Sequence, residues 1–287
     1  MTRDRSKFAV FILTHGRPEN VVTLDRLVRS GYTGDIFFLI DDEDSKADEY
    51  RKKFGAERVI QFSKREESER FDTGDTLDDR RSIVFARNAS QRIAQKMGYD
   101  YLLQLDDDYT SFLYRYLSGD VIRSTQVRSM DKVIDAMVDF LEQTGATTVA
   151  FSQGGDHMGG VYGHGIRKGL LRKAMNSFFI RTDKPVKFFG RLNEDVNAYV
   201  VNGGRGELYL TVMGLQLNQL QTQTNVGGMS DIYKASGTYL KSFYTVMMAP
   251  SCVTISTMGR TDRRFHHAVR WNNAVPKIVS GRHRKEE

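Results

Sequence analysis

An apolar run from Tyr99 to Leu105 leads directly into three consecutive acids, Asp106-Asp107-Asp108. A near-continuous apolar run of this length reads as a strand buried on both faces. Three carboxylates cannot follow it into a core without partners. The strand must therefore end at an open edge or in a charged site. The segment before it carries Ala86, Ala89, Ile93 and Met97 at spacings of three and four, an amphipathic helix closed by Gly98. The same grammar occurs upstream. Lys7 to Leu13 reads as a buried strand that ends at Gly16-Arg17-Pro18, and Val21, Val22, Leu24, Leu27 and Val28 form the stripe of a helix. Asp35 to Ile40 reads as a second strand, stopping at Asp41, Asp42, Glu43 and Asp44, with a charged helix from Ser45 to Phe54 and a short strand near Arg58 to Phe62. This alternation predicts an α/β fold with a mostly parallel sheet flanked by helices.

The second half is less regular. Met130 to Glu142 reads as a helix, and Thr147 to Ser152 and Leu208 to Met213 read as strands. Ser63 to Arg81 has mixed charge without periodicity and reads as a long solvated loop. Gly154 to Gly169 contains seven glycines together with His157 and His164. The expected organisation is a first half (1–125), a second half of the same domain (126–259) and a basic C-terminal tail (260–287).

Composition narrows the function classes. The 287 residues hold 42 Lys+Arg against 36 Asp+Glu, a net charge of +6, with 40% hydrophobic residues. That is the balance of a globular protein. No apolar run approaches the roughly 18 residues that span a bilayer. Phe8 to Leu13 is too short for a signal-peptide core, so a cytoplasmic protein is expected. The single Cys252 excludes an intrachain disulfide and a cysteine-based zinc site. Between Arg260 and Lys285 stand eight Lys/Arg and one acid, Asp262. Such a stretch suits either phosphate contacts or a solvated terminus.

Ligands of open parallel sheets bind outside the carboxyl ends of the strands. Asp41 and Asp42 end one strand, and Asp106 to Asp108 end another. A hard divalent cation accepts such oxygens, and Asp106 and Asp108 share a face. A solvated acidic turn would explain either cluster taken alone. Downstream, Phe188-Phe189-Gly190-Arg191-Leu192-Asn193-Glu194-Asp195 opens a helix, with Asn193 as a candidate cap. Acids there also simply favour the helix dipole. Arg17 and Arg87 are candidate phosphate contacts, although Arg87 also suits a plain surface helix position. His266-His267 are candidate metal ligands, and Tyr109, Phe112, Tyr114, Tyr116 and Trp271 are either base-stacking or core residues. There is no P-loop, GxGxxG, GxSxG or HExxH motif. The acids suit a reaction in which a cation offsets charge on a leaving nucleoside diphosphate and a carboxylate takes the acceptor proton.

The segments Phe8 to Pro18, Ala86-Arg87-Asn88 and Gly98 to Asp108, with Asn193-Glu194-Asp195, occur in the order of the opening strand, DxD motif and acidic base motif of GT-A glycosyltransferases. More narrowly, the chain resembles the TET-associated glycosyltransferases, a phage-linked group that modifies hydroxymethylated pyrimidines in DNA. The resemblance implies a UDP-sugar donor and a DNA acceptor carrying 5-hydroxymethylcytosine, with Mn2+ or Mg2+ as cofactor and inversion at the anomeric carbon. It places Thr14, Arg17, Asp41, Asp42, Arg87, Asp106 and Asp107 at the nucleotide-sugar. Asp108 and Asp106, with His266 or His267, would lie at the metal. Asp195 would be the base, with Glu194 beside it. Arg260, Arg263, Arg264, Arg270, Lys277 and Arg282 are the expected DNA contacts. The alternatives are a saccharide or glycan acceptor, or a non-catalytic nucleic-acid-binding protein that reuses the fold.

Overall fold

The computed structural model describes residues 5–75, 80–167, 176–220, 239–259 and 263–283. Among these, the strands are β1 (Phe8–Leu13), β2 (Asp35–Asp41), β3 (Val59–Phe62), β4 (Tyr101–Asp106), β5 (Tyr109–Ser118), β6 (Val121–Gln126), β7 (Thr148–Gln153), β8 (Phe178–Arg181), β9 (Tyr209–Gln219), β10 (Val253–Met258) and β11 (Arg264–Val269). The helices include α1 (Val22–Arg29), α2 (Ala47–Phe54), α3 (Lys64–Ser68), α4 (Val84–Lys96), α5 (Met130–Thr144), α6 (His164–Arg167) and α7 (Glu194–Gly204). Two further helices, Tyr239–Met248 and Trp271–Ala274, lie near the C-terminus.

Nine strands form one sheet in the order β3-β2-β1-β4-β8-β7-β9-β5-β6. The first four are mutually parallel, as the burial of β1, β2 and β4 predicts. β8 then runs antiparallel between β4 and β7, β9 lies parallel to β7, and β5 and β6 close the edge antiparallel. The sheet continues unbroken across residue 125, because β5 bonds to β9 rather than to β4 and β6 extends the edge from β5. Alternate residues of β1 feed two cores. Phe8, Val10 and Ile12 join Leu27, Tyr50, Met130 and Met137 on one face, whereas Ala9, Phe11 and Leu13 meet Phe85, Ala89, Phe178 and Tyr199 on the other.

Two segments differ from the sequence reading. Ser63 to Arg81 is not simply a solvated loop: Ser63 caps α3 by accepting from the Glu66 N–H, and Lys64 and Glu67 are buried in ion pairs. Nor are residues 264–274 a free tail. β11 pairs with β10, and Ala274 is buried in a small core with Val196, Val200 and Val253. Tyr109 and Phe112 are core residues on one face of the sheet, Trp271 packs against the other core and the small C-terminal cluster, and Tyr116 is exposed.

The C-terminal segment is seated on α7 at Gly203, where an added Cβ would stand 2.2 Å from the Ala274 carbonyl oxygen. A mid-helix Gly→Ala change ordinarily stabilises by roughly 0.5–1 kcal/mol. Here the sign should reverse, because backbone rather than a flexible side chain would have to move. Gly203→Ala should lower the melting temperature by several degrees, and circular dichroism melts would check it.

Candidate active site

The carboxyl ends of β1, β2 and β4 and the start of α7 bring most of the sequence-predicted residues together. The three aspartates after β4 point to three different places. Asp107 turns back under the sheet edge, where its Oδ2 accepts from Thr14 Oγ1 at 2.6 Å and Arg17 Nε at 2.7 Å. Tyr50, which the sequence did not single out, bonds Thr14 at 2.8 Å and accepts from the Arg17 N–H, and burial pushes its hydroxyl up to about 12. Burial also raises Asp107, with Arg17 opposing. Thr23 of α1 fixes the turn itself. Its hydroxyl donates to the Asp106 carbonyl and accepts from the Tyr109 N–H, while its own N–H donates to the Asp107 carbonyl.

Asp106 faces α4. Its Oδ1 accepts from Arg87 Nη2 at 2.8 Å and its Oδ2 from Asn176 Nδ2 at 2.8 Å. Arg87 is 1% exposed, so it is not a surface helix residue. Its guanidinium lies 4.9 Å over the Phe178 ring and reaches Glu194 Oε1 at 3.4 Å, tying the strand-end acids to the acids of α7. Its Nη1 is buried without a hydrogen-bond partner among the described residues. Burial, followed by the charge of Asp195, holds the Glu194 carboxyl above the usual carboxylate range despite Arg87. Asp195 accepts from the Val196 N–H at 2.8 Å.

Asp108 points to β9, where its Oδ2 accepts from Gln219 Nε2 at 3.2 Å. Its Oδ1 is buried with no hydrogen-bond partner among the described residues. Burial and the adjacent Asp106 push this carboxyl up to about 7. An orphaned buried carboxylate oxygen beside a second carboxylate is the donor set a hard cation prefers, so these residues fit a Mn2+ or Mg2+ ion. Among the described residues no cluster of three or more His, Cys, Asp or Glu side chains is arranged to hold a metal by itself. Any ion here would need oxygens from a bound ligand.

At the β2 end, Asp41 bonds His15 Nδ1 at 2.7 Å and Lys64 Nζ at 3.0 Å, and these contacts outweigh burial to hold its carboxyl low. Asp42 is exposed and accepts from the Lys64 N–H. His15, Lys64 and Asp44, which accepts from the Gly16 N–H at 2.7 Å, complete this corner.

Residues 8–228 match the model of the TET-associated glycosyltransferases. The chain belongs to this family. The protein is a glycosyltransferase, and its α/β architecture is the GT-A fold. A glucosyl-3-phosphoglycerate synthase from Mycobacterium tuberculosis, solved with Mg2+ and uridine diphosphate, superimposes with a TM-score of 0.50 at 8% identity, over 92% of this chain and 88% of that one. A mannosyltransferase from Pyrobaculum calidifontis, solved with GDP-Man and Mn2+, gives 0.45 at 9% identity, over 86% and 75%. No curated protein sequence matches.

In the glycosyltransferase, the C-terminal histidines part company with the other basic-segment residues. His266 and His267 lie on β11 with ring centroids 4.3 Å apart, and His267 Nδ1 is 3.1 Å from Asn193 Nδ2, beside Glu194. Asn193 does not cap α7 with its side chain. It sits at φ 57°, the one non-glycine residue with positive φ among the described residues, and its amide donates to the Lys241 carbonyl and Thr245 Oγ1. Asparagine tolerates that left-handed conformation better than most residues. Arg263, Arg264, Arg270 and Lys277 are exposed. Arg282, although exposed, is paired with Glu207, which also accepts from Thr147 and bonds His283. Arg260 lies outside the described residues, as do Arg284 and Lys285. His157 bonds Ser152 at 2.9 Å, and the side chain of His164 falls outside the described residues. No helix among the described residues is long and apolar enough to cross a membrane.

Proposed function

We propose that this glycosyltransferase moves a sugar from a UDP-sugar to the hydroxymethyl oxygen of 5-hydroxymethylcytosine in DNA, with inversion and with Mn2+ or Mg2+ as cofactor. The observation that carries this reading is the meeting of two acid pairs, Asp106/Asp108 and Glu194/Asp195, on either side of buried Arg87. One pair suits a metal and a diphosphate, and the other suits a proton acceptor. The family match supports the DNA acceptor. The fold neighbour from Mycobacterium tuberculosis, solved with Mg2+ and uridine diphosphate, accords with the donor and metal.

In this reading Asp108 and Asp106 hold the cation, with His266 or His267 as a further ligand, His267 standing against Asn193. When bound, the ion offsets the negative charge that builds on the departing diphosphate. Thr14, Arg17, Asp107, Asp41 and Asp42 shape the nucleotide corner. Arg87 fixes Asp106 and Glu194, and its spare Nη1 is a donor for a substrate oxygen. Asp195, with Glu194 beside it, takes the proton from the acceptor hydroxyl as the oxygen attacks the anomeric carbon and UDP leaves. Asp195→Asn should then reduce turnover by about 10²–10⁴-fold. Arg263, Arg264, Arg270 and Lys277 are the exposed bases available to phosphates, whereas the Glu207 pair commits Arg282 internally.

Incubating the protein with DNA containing 5-hydroxymethylcytosine, a panel of UDP-sugars and Mn2+, followed by nucleoside mass spectrometry, tests the reading. A metal-dependent pentose or hexose increment is expected. UDP-sugar hydrolysis without any increment would remove the DNA acceptor and keep the enzyme.

The raised Glu194 carboxyl sets a pH dependence. Its neutral form is favoured in the folded protein well above the ordinary glutamate range, so kcat/KM should rise as pH increases towards neutrality and then level off. Glu194→Gln should flatten that limb in a pH–rate profile.

A further inference from the structure

Three neutral side chains from separate parts of the chain close a bridge between the two proposed metal carboxylates. Asn176, just before β8, donates from Nδ2 to Asp106 Oδ2 at 2.8 Å. Gln219, at the end of β9, donates from Nε2 to Asp108 Oδ2 at 3.2 Å. Between them, Gln153 at the end of β7 donates from Nε2 to Asn176 Oδ1 at 2.8 Å and to Gln219 Oε1 at 3.3 Å. Its remaining amide oxygen accepts from the first turn of the 154–157 helix. Ionised carboxylates only accept, so Asn176 and Gln219 must turn their NH2 groups outward and their carbonyls inward. Gln153 then meets both carbonyls with its two N–H groups. The bridge therefore has one self-consistent orientation.

We infer that Gln153, Asn176 and Gln219 are positioning residues that hold Asp106 and Asp108 at a fixed separation and angle while bringing no positive charge of their own to the two carboxylates. Chemistry explains why amides occupy this place. A lysine or arginine would orient the carboxylates equally well but would add a further positive charge beside the cation, where Arg87 already pairs with Asp106. Apolar residues would leave Asp108, whose other oxygen has no partner among the described residues, free to turn away from Asp106. Groups that orient metal ligands without touching the metal typically change affinity by about 10–100-fold when removed. Gln153 is the telling member, because it touches neither carboxylate and acts only through the other two amides. The inference rests on the metal-dependent reading of the site.

The test is Mn2+ binding in the presence of UDP, followed by electron paramagnetic resonance of free Mn2+, with donor KM and kcat measured alongside. Gln153→Leu should weaken Mn2+ affinity roughly tenfold and raise the KM for the UDP-sugar, with a smaller effect on kcat and a melting temperature close to wild type. Gln219→Met, which removes a contact to Asp108 alone, should weaken Mn2+ similarly, and Gln219→His, which retains an N–H donor, should recover part of the loss. Wild-type Mn2+ affinity and KM in both Gln153→Leu and Gln219→Met would overturn the inference and leave the metal reading standing. A wild-type protein that neither binds Mn2+ nor requires it would overturn both.

Discussion

Replacing Arg87 by methionine should lower stability by about 3–5 kcal/mol, the range for breaking a buried ion pair from one side, and the melting temperature by roughly 10 °C. The cause is what remains. Asp106 and Glu194 would lose their shared cation, and Glu194 already has burial and Asp195 working against its charge. Methionine would fill much of the volume over Phe178 but could accompany neither acid. The damage should be smaller at pH 5 than at pH 8, because the stranded carboxylates can take up protons at the lower pH. Arg87→Lys should lie between the two, keeping the charge but not the fork that spans both acids. Calorimetric melts of the three proteins at both pH values provide the check. Equal melting temperatures for wild type and Arg87→Met at pH 8 would show that the guanidinium does not hold the two acid pairs together.

Asp108→Asn should separate activity from stability. Turnover should fall by at least about 10³-fold, since a neutral amide replaces a carboxylate proposed to hold the cation. The metal-free protein, however, should become more stable at pH 8. In the wild type the Asp108 carboxyl, ordinarily at 3.8, stands near 7. The folded chain therefore binds more protons than the unfolded one between these values, and its stability falls as pH rises through that window. Below about pH 4 both states hold the proton and the penalty is absent. Allowing for partial solvent access, the gain from the amide at pH 8 should be about 1–2 kcal/mol, or roughly 2–6 °C, and near zero at pH 4. Mn2+ with UDP should raise the melting temperature of wild type and leave that of Asp108→Asn almost unchanged. Parallel melts with and without the ion measure both effects.

The first hundred residues were legible because β1 and most of β2 are buried on both faces and the helices carry apolar stripes, so period largely separates them. The acids at strand ends stood out for the same reason: charge interrupts an apolar run abruptly at Asp41 and at Asp106. What could not be read was pairing over distance. β8 is only four residues, Phe178–Arg181, and its apolar character does not say that it will wedge antiparallel between β4 and β7. β5 and β6 mix exposed and buried positions at the sheet edge, and their periodicity is correspondingly weak. Within the site, charged residues announced themselves whereas their neutral partners did not. Tyr50 resembles any core tyrosine until Thr14 and Arg17 are seen against its hydroxyl. Gln153, Asn176 and Gln219 carry no charge and no motif. Lys64 and Glu67 were lost in a run of alternating charges whose solvated appearance hid two buried pairs.

The strands on either side of the aspartates are consecutive in sequence, yet β8, β7 and β9 lie between them in the sheet. The acidic turn is thus a span laid across the ends of three strands, and its far pier is built only when residues 109–114 pair with 215–219. Asp108 and Gln219 are 111 positions apart. Loop-closure entropy has to be met before such a contact can form, so the ion-binding geometry should be completed late in folding. A chain still emerging from the ribosome, with β9 unsynthesised, would display three aspartates and no site. On the proposed assignment, catalytic competence and completion of the sheet are then one event.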